Sequence, residues 1–143
     1  MAILVDTNIL VYCFDATVPS KQERARDLLR RGVANESLRL PHQSLVEFVR
    51  AVTRSRPTKD ALLSREEATL HVEGFMSQFP VLYPNEQIFR TALLGMGAYR
   101  LPWFDAHLWA YAEHYGLREI LSEDFQDGRL YGTVRVRNPF VDL

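Results

Sequence analysis

Cysteine is nearly missing from this 143-residue chain. With Cys13 alone, no intrachain disulfide can form, and a reducing compartment is indicated. Cys13 has no activating motif beside it and reads as a small buried residue. No apolar run is long enough to span a bilayer. The first residues lack the basic segment and long apolar run of a signal peptide. The expected location is therefore cytoplasmic, with no membrane contact. No glycine-rich phosphate loop and no serine-nucleophile elbow occur. The four histidines, His42, His71, His107 and His114, have no metal-ligand spacing, and His107 and His114 are expected on the outer face of one helix. An excess of either charge is also missing: 17 basic against 18 acidic residues leave a net charge of −1. Any contact with nucleic acid must then come from a local basic patch, not from a global positive field.

The hydrophobic and charged fractions, 47% and 24%, are those of an ordinary globular protein. The length suggests one domain over residues 1–143 with a sizeable core. Short apolar runs at 3–5, 37–40, 81–83, 119–122 and 133–136 read as strands. Helices are expected over 8–14, over 21–33 with Ser20 as N-cap, and over 42–55, ending before Pro57. Ser64-Arg65-Glu66-Glu67 resembles a capping box opening a helix to about residue 79. Asn85 should cap a helix to about residue 99. Pro102 should open another that ends near residue 115, with Gly116 just beyond it. Strands alternating with helices imply an α/β fold with a mostly parallel central sheet flanked by helices. In such sheets, ligands collect beyond the carboxyl ends of the strands.

Acidic residues stand in apolar settings at four places: Asp6 after Ile3-Leu4-Val5, Glu47 in Ser44-Leu45-Val46-Glu47-Phe48, Asp105 in Trp103-Phe104-Asp105-Ala106, and Asp124 after Leu121-Ser122-Glu123. Carboxylates are rare among core-forming residues unless something pairs with them. Each also has an ordinary structural reading. Asp6 could cap the helix that follows it. Asp105, on a stripe with Leu108, Trp109 and Ala112, could cap its own first turn. Glu47 lies opposite the apolar stripe Leu45, Phe48, Val49 and Val52, where it could simply pair with Arg50 and Arg54 on a solvated face. Asp124 is preferred over Glu123 because it returns to the side of Ser122, and Asp127-Gly128 reads as a turn. Gathered in one cleft, the four carboxylates would repel each other, and a divalent cation is the simplest partner.

Val5-Asp6-Thr7-Asn8, Ser44-Leu45-Val46-Glu47-Phe48, Trp103-Phe104-Asp105-Ala106 and Leu121-Ser122-Glu123-Asp124 together resemble the four acidic motifs of PIN domains. The closing Arg137-Asn138-Pro139-Phe140 resembles the tail of many bacterial members. Size, order and spacing are similar to VapC-type toxins. The resemblance implies a PIN-like three-layer sandwich and an Mg²⁺- or Mn²⁺-dependent endoribonuclease. It also implies an RNA substrate, a cognate small antitoxin protein that blocks the cleft, and a homodimer. By position, Asp6, Glu47, Asp105 and Asp124 match the family's acidic residues, and Thr7, Asn8 and Ser122 match the polar residues that support them. His107 stands where an apolar residue is commoner.

On this reading Asp6, Asp105 and Asp124 hold the metal, since hard oxygen ligands suit Mg²⁺ or Mn²⁺. Glu47 orients or deprotonates the attacking water, and Asn8 and Ser122 fix carboxylate orientation. Arg50 and Arg54, with Arg56 and Lys59 beyond them, form the candidate phosphate-binding patch. Tyr99, Arg100 and Trp103 are candidates for base stacking, although Trp103 is as readily core. The apolar surfaces around residues 25–29 and 42–52 either take a partner or are covered within the fold. The competing readings are a PIN-type nuclease for RNA processing or DNA cleavage, and a catalytically silent PIN-like binding module.

Overall fold

A computed structural model describes residues 1–143. Its strands are β1 (Ile3–Val5), β2 (Leu38–Pro41), β3 (Val81–Leu82), β4 (Glu119–Leu121), β5 (Leu130–Tyr131) and β6 (Val134–Arg137). They form one sheet in the order β3-β2-β1-β4-β6-β5. All neighbours pair in parallel except β5, which returns antiparallel on β6. β1 lies between β2 and β4, with Leu4 opposite both Arg39 and Ile120. From β1 the chain crosses to one side of the sheet, then comes back to continue on the other. The crevice at the carboxyl ends of β1 and β4 is therefore a topological switch point, the usual ligand position in such sheets.

Six helices cover the two faces: α1 (Thr7–Tyr12), α2 (Pro19–Asn35), α3 (His42–Thr53), α4 (Arg65–Gln78), α5 (Glu86–Tyr99) and α6 (Trp103–His114). Strand side chains alternate between two separate apolar cores. Val5, Leu38, Leu40 and Leu121 pack with α1 to α4, whereas Leu4, Ile120, Val134 and Val136 pack with α5 and α6. This is the three-layer α/β sandwich with a mostly parallel central sheet expected from the sequence. No helix is long and apolar enough to cross a membrane.

Side-chain caps open three of the six helices, α1, α4 and α5. Ser64 accepts from the Glu67 N–H while the Glu67 carboxylate accepts from the Ser64 N–H, a complete capping box. Asn85 accepts from the Ile88 N–H at the start of α5. After α6, Gly116 takes φ +69°, and the Leu117 N–H returns to the Ala112 carbonyl at 2.8 Å. That left-handed turn is open to glycine at little cost.

Several expectations need correction. Ser20 is not the N-cap of α2: the helix starts at Pro19, whose fixed φ suits a first helical position, and Val18 provides no side-chain cap. α1 begins one residue earlier than expected, at Thr7, because Asp6 itself caps it. β2 runs on to Pro41, and the two-residue β5 has no counterpart among the expected strands. Val49 is not core; it is 40% exposed, because α3 buries the arc of Gln43, Ser44, Leu45, Phe48 and Val52. Ala25 and Leu29 are covered within the fold, not left free for a partner.

Candidate active site

Asp6 leaves β1 at the switch point and caps α1, with its Oδ1 accepting from the Thr7 N–H at 2.6 Å. Its Oδ2 accepts from the Ser122 hydroxyl at 2.5 Å and, more weakly, from Asn8 Nδ2 at 3.4 Å. Ser122 follows β4 and is fully buried. Its Oγ also accepts from the Asp124 N–H, which turns the loop so that Asp124 faces Asn8. Asn8 Nδ2 then donates to Asp124 Oδ2 at 3.1 Å. Two strand ends are thus bound together through one hydroxyl and one amide. Glu123 points elsewhere, bonded to Lys21 Nζ and to the Tyr12 hydroxyl.

The other half of the site comes from α3 and α6. The Ser44 hydroxyl donates to the Val5 carbonyl and pins α3 against the end of β1. One turn later Glu47 is half-buried, not solvated, and its Oε1 accepts from Thr7 Oγ1 at 3.2 Å and from Gln43 Nε2 at 3.1 Å. Gln43 Nε2 also donates to the Phe104 carbonyl at 2.9 Å. With both acceptors on Nε2, Gln43 presents its Oε1 to His107 Nδ1, 2.6 Å away. The ring must then carry its proton on Nδ1, the neutral donor tautomer. Burial keeps His107 neutral by holding its pKa low, against the opposing pull of Glu47. His107 is therefore turned into the site, not onto the outer face of its helix as expected.

Electrostatics unite the two halves. Burial pushes the Asp6 carboxyl up to about 7; the negative charges of Asp124 and Asp105 add to this, while the bonds from Ser122 and Thr7 oppose it. Burial also raises Asp105, to about 6, and Asp124 and Glu47 reinforce the rise. No cation answers this charge. The six ion pairs of the protein involve none of Asp6, Glu47, Asp105 and Asp124. Two carboxyls raised by burial and by neighbouring carboxylates, with no cationic partner, fit a hard divalent ion. No three acidic, His or Cys side chains close into a ready metal cage. The donor set therefore suits an ion of the Mg²⁺ kind, which takes one or two carboxylates and fills its remaining positions with water and substrate oxygens.

Thr7, Val46, Glu47, Arg50, Ala51, Arg54 and Phe104 line a cleft of about 450 Å³ beside this centre. Arg50 and Arg54 thus lie where the sequence suggests. Arg56 and Lys59 do not reach the cleft: they bridge each other, and the Arg56 guanidinium is held by the Asp60 carbonyl. Tyr99 is partly buried and packed in T-shaped contacts with Trp109 and Tyr131, and it does not line this cleft. Trp103 is half-buried against Phe89 and His107. Asp127 accepts from the Asn138 N–H in a turn and does not join the carboxylates. Sequence reasoning missed Gln43 and Phe104. The available signal was a polar residue one turn before Glu47 on the core-facing arc of a helix.

The sequence pattern of the PIN domain matches residues 3–129. No curated protein sequence matches the chain. Among solved structures, the chain is similar to DNA-bound VapBC from Salmonella typhimurium, with a TM-score of 0.71 and 17% identity over 97% of this chain and 98% of that one. It is also similar to VapBC2 from Rickettsia felis bound to a promoter DNA fragment, with a TM-score of 0.69 and 13% identity over 96% and 98%. A third similar structure is VapC20 of Mycobacterium tuberculosis, a sarcin-ricin loop cleaving toxin, with a TM-score of 0.65 and 14% identity over 86% and 90%.

Proposed function

Since the chain belongs to the PIN domain family, we propose that it is an Mg²⁺- or Mn²⁺-dependent endoribonuclease, the toxin half of a type II toxin–antitoxin pair. One observation supports this reading: beside the switch point of a parallel sheet the charges of Asp124 and Asp105 act on Asp6, those of Asp124 and Glu47 act on Asp105, and no ion pair compensates any of the four. The similar structures named above as VapBC complexes, and the one named as an RNA-cleaving toxin, support it. A small antitoxin that covers the cleft, a homodimer and a cytoplasmic location belong to the same proposal.

When bound, a divalent ion would neutralise phosphate charge and acidify a water molecule. Asp6 and Asp105 would hold it, and Asp124 would complete its shell directly or through water. Ser122, Asn8 and the Thr7 N–H keep the Asp6 and Asp124 oxygens oriented, so the centre needs little rearrangement when it fills. Glu47 is the general base. It accepts a proton from the attacking water, while Thr7 and Gln43 fix its carboxylate against the helix. The water oxygen bonds to phosphorus, the bond to the ribose 3′-oxygen breaks, and that oxygen takes up a proton. The products carry 5′-phosphate and 3′-hydroxyl ends, and the ribose 2′-hydroxyl takes no part.

Matched RNA and DNA strands incubated with the purified protein in Mn²⁺ test the proposal. RNA should be cut with 5′-phosphate ends, and cutting should stop in chelator and in Asp105→Asn. Ends bearing 2′,3′-cyclic phosphate, or cutting that persists in either control, would overturn it.

A further inference from the structure

Resting on the ribonuclease reading, we propose that the cleft beside Glu47 binds one unpaired nucleotide of RNA, its base stacked on the Phe104 ring and its flanking phosphates held by Arg50 and Arg54. Phe104 is 64% exposed, whereas α6 buries Leu108, Trp109 and Tyr111. An exposed aromatic residue alone is ordinary. This one lines the same cleft as Glu47 and Thr7, next to the 55%-exposed Val46, so a flat apolar floor adjoins the proposed base catalyst. The arginines supply the second observation. Arg50, one turn beyond Val46 on α3, and Arg54, the residue that follows the helix, are exposed, yet neither enters an ion pair with the carboxylates nearby. Glu47 takes its bonds from Thr7 and Gln43 instead. Two guanidinium groups are thus free at the mouth of an acidic site, where phosphate is the matching ligand.

Gln43 ties the two sides of the cleft together. The same amide nitrogen that bonds Glu47 bonds the Phe104 carbonyl, so the backbone that carries the ring is held close to the carboxylate. A base in a duplex has both faces covered by its neighbours and cannot lie on such a ring, so the nucleotide must be unpaired.

The test uses fluorescence anisotropy in chelator with a short labelled single-stranded RNA, and with the same strand annealed into a duplex. Phe104→Ala should weaken single-strand binding by about 5- to 150-fold, the range of one base–aromatic stack, and Phe104→Tyr should retain it. Arg50→Ala and Arg54→Ala should each reduce the salt slope of single-strand binding by about 0.7. Duplex binding should not depend on Phe104. If Phe104→Ala binds the single strand like wild type, or weakens both forms equally, the proposal fails. It also fails if that variant changes only the oligomeric state on sizing, which would make the ring a protein contact. In these cases a wild-type protein that still cuts RNA leaves the ribonuclease reading intact. A wild type that neither binds nor cuts RNA would remove that reading, and this proposal with it. Phe104 is exposed, so unchanged thermal unfolding in Phe104→Ala separates any loss of binding from loss of fold.

Discussion

Replacing Asp6 with Asn should make the metal-free protein more stable at pH 8, although it removes a proposed catalytic group. The Asp6 carboxyl is 6% exposed, and its pKa is pushed from 3.8 to about 7, above all by burial. Between these values the folded protein binds a proton that the unfolded chain has released. Stability therefore falls as pH rises through this window and is flat above it. At about 1.36 kcal/mol per unit, the shift corresponds to about 4 kcal/mol. Asp105, raised to about 6, acts in the same direction, but it is half-exposed and water screens much of its effect. The amide in Asp6→Asn would carry no charge, but it has one acceptor oxygen where the carboxylate uses two, so either the Ser122 hydroxyl or the Thr7 N–H loses its acceptor, a cost of about 1–3 kcal/mol. The net gain at pH 8 is about 1–3 kcal/mol, and each kcal/mol should move Tm by about 2–4 °C in a chain of this size. Circular-dichroism melts in chelator at pH 5, 6.5 and 8 provide the assay. Wild type should lose stability from pH 5 to pH 8, and Asp6→Asn should lose much less. A wild type equally stable at pH 5 and pH 8, or an Asp6→Asn variant that melts lower at pH 8, would refute the reasoning.

Three further outcomes are expected. Gln43→Leu strands the Phe104 carbonyl and His107 Nδ1 and takes one partner from Glu47; urea unfolding should show a loss of about 1–3 kcal/mol for each group left unsatisfied, and kcat for RNA cleavage should fall. Gly95→Ala would place a Cβ 2.5 Å from the Trp109 ring and should cost about 1–3 kcal/mol, whereas Gly74→Ala, with nothing within 4 Å, should gain about 0.5–1 kcal/mol from helix propensity; thermal melts of the pair give opposite signs. Ser64→Ala breaks the capping box and should lower stability by about 1 kcal/mol in the same assay.

The sequence disclosed features that depend on local chemistry. Asn85, Ser64 and Gly116 mark helix ends because their side chain, or lack of one, serves backbone groups a few residues away. Asp6 and Asp124 were legible because a polar residue after a short buried strand falls at a sheet edge wherever the neighbouring strands lie. What stayed hidden depends on tertiary contact. Gln43 and His107 meet across 64 positions, and nothing near either residue announces the other. Glu47 reads as solvated from its own helix, because the Thr7 side chain that bonds it from α1 answers to the docking of α3 on α1. Val49 fails for the converse reason: α3 is covered over a narrower arc than its apolar pattern allows. β5 is two residues long, too short for any periodicity to form.

Calorimetric titration with Mn²⁺ addresses most directly the claim that Asp6, Asp105 and Asp124 form one cation-demanding centre. Wild type should bind the ion, with tighter binding as pH rises through 6 to 7 and Asp105 and Asp6 shed their protons. Asp105→Asn should lose most of that affinity, while Glu123→Gln, altered in the carboxylate that Lys21 already neutralises, should keep it. No binding by wild type, or the same affinity in all three proteins, would contradict the account.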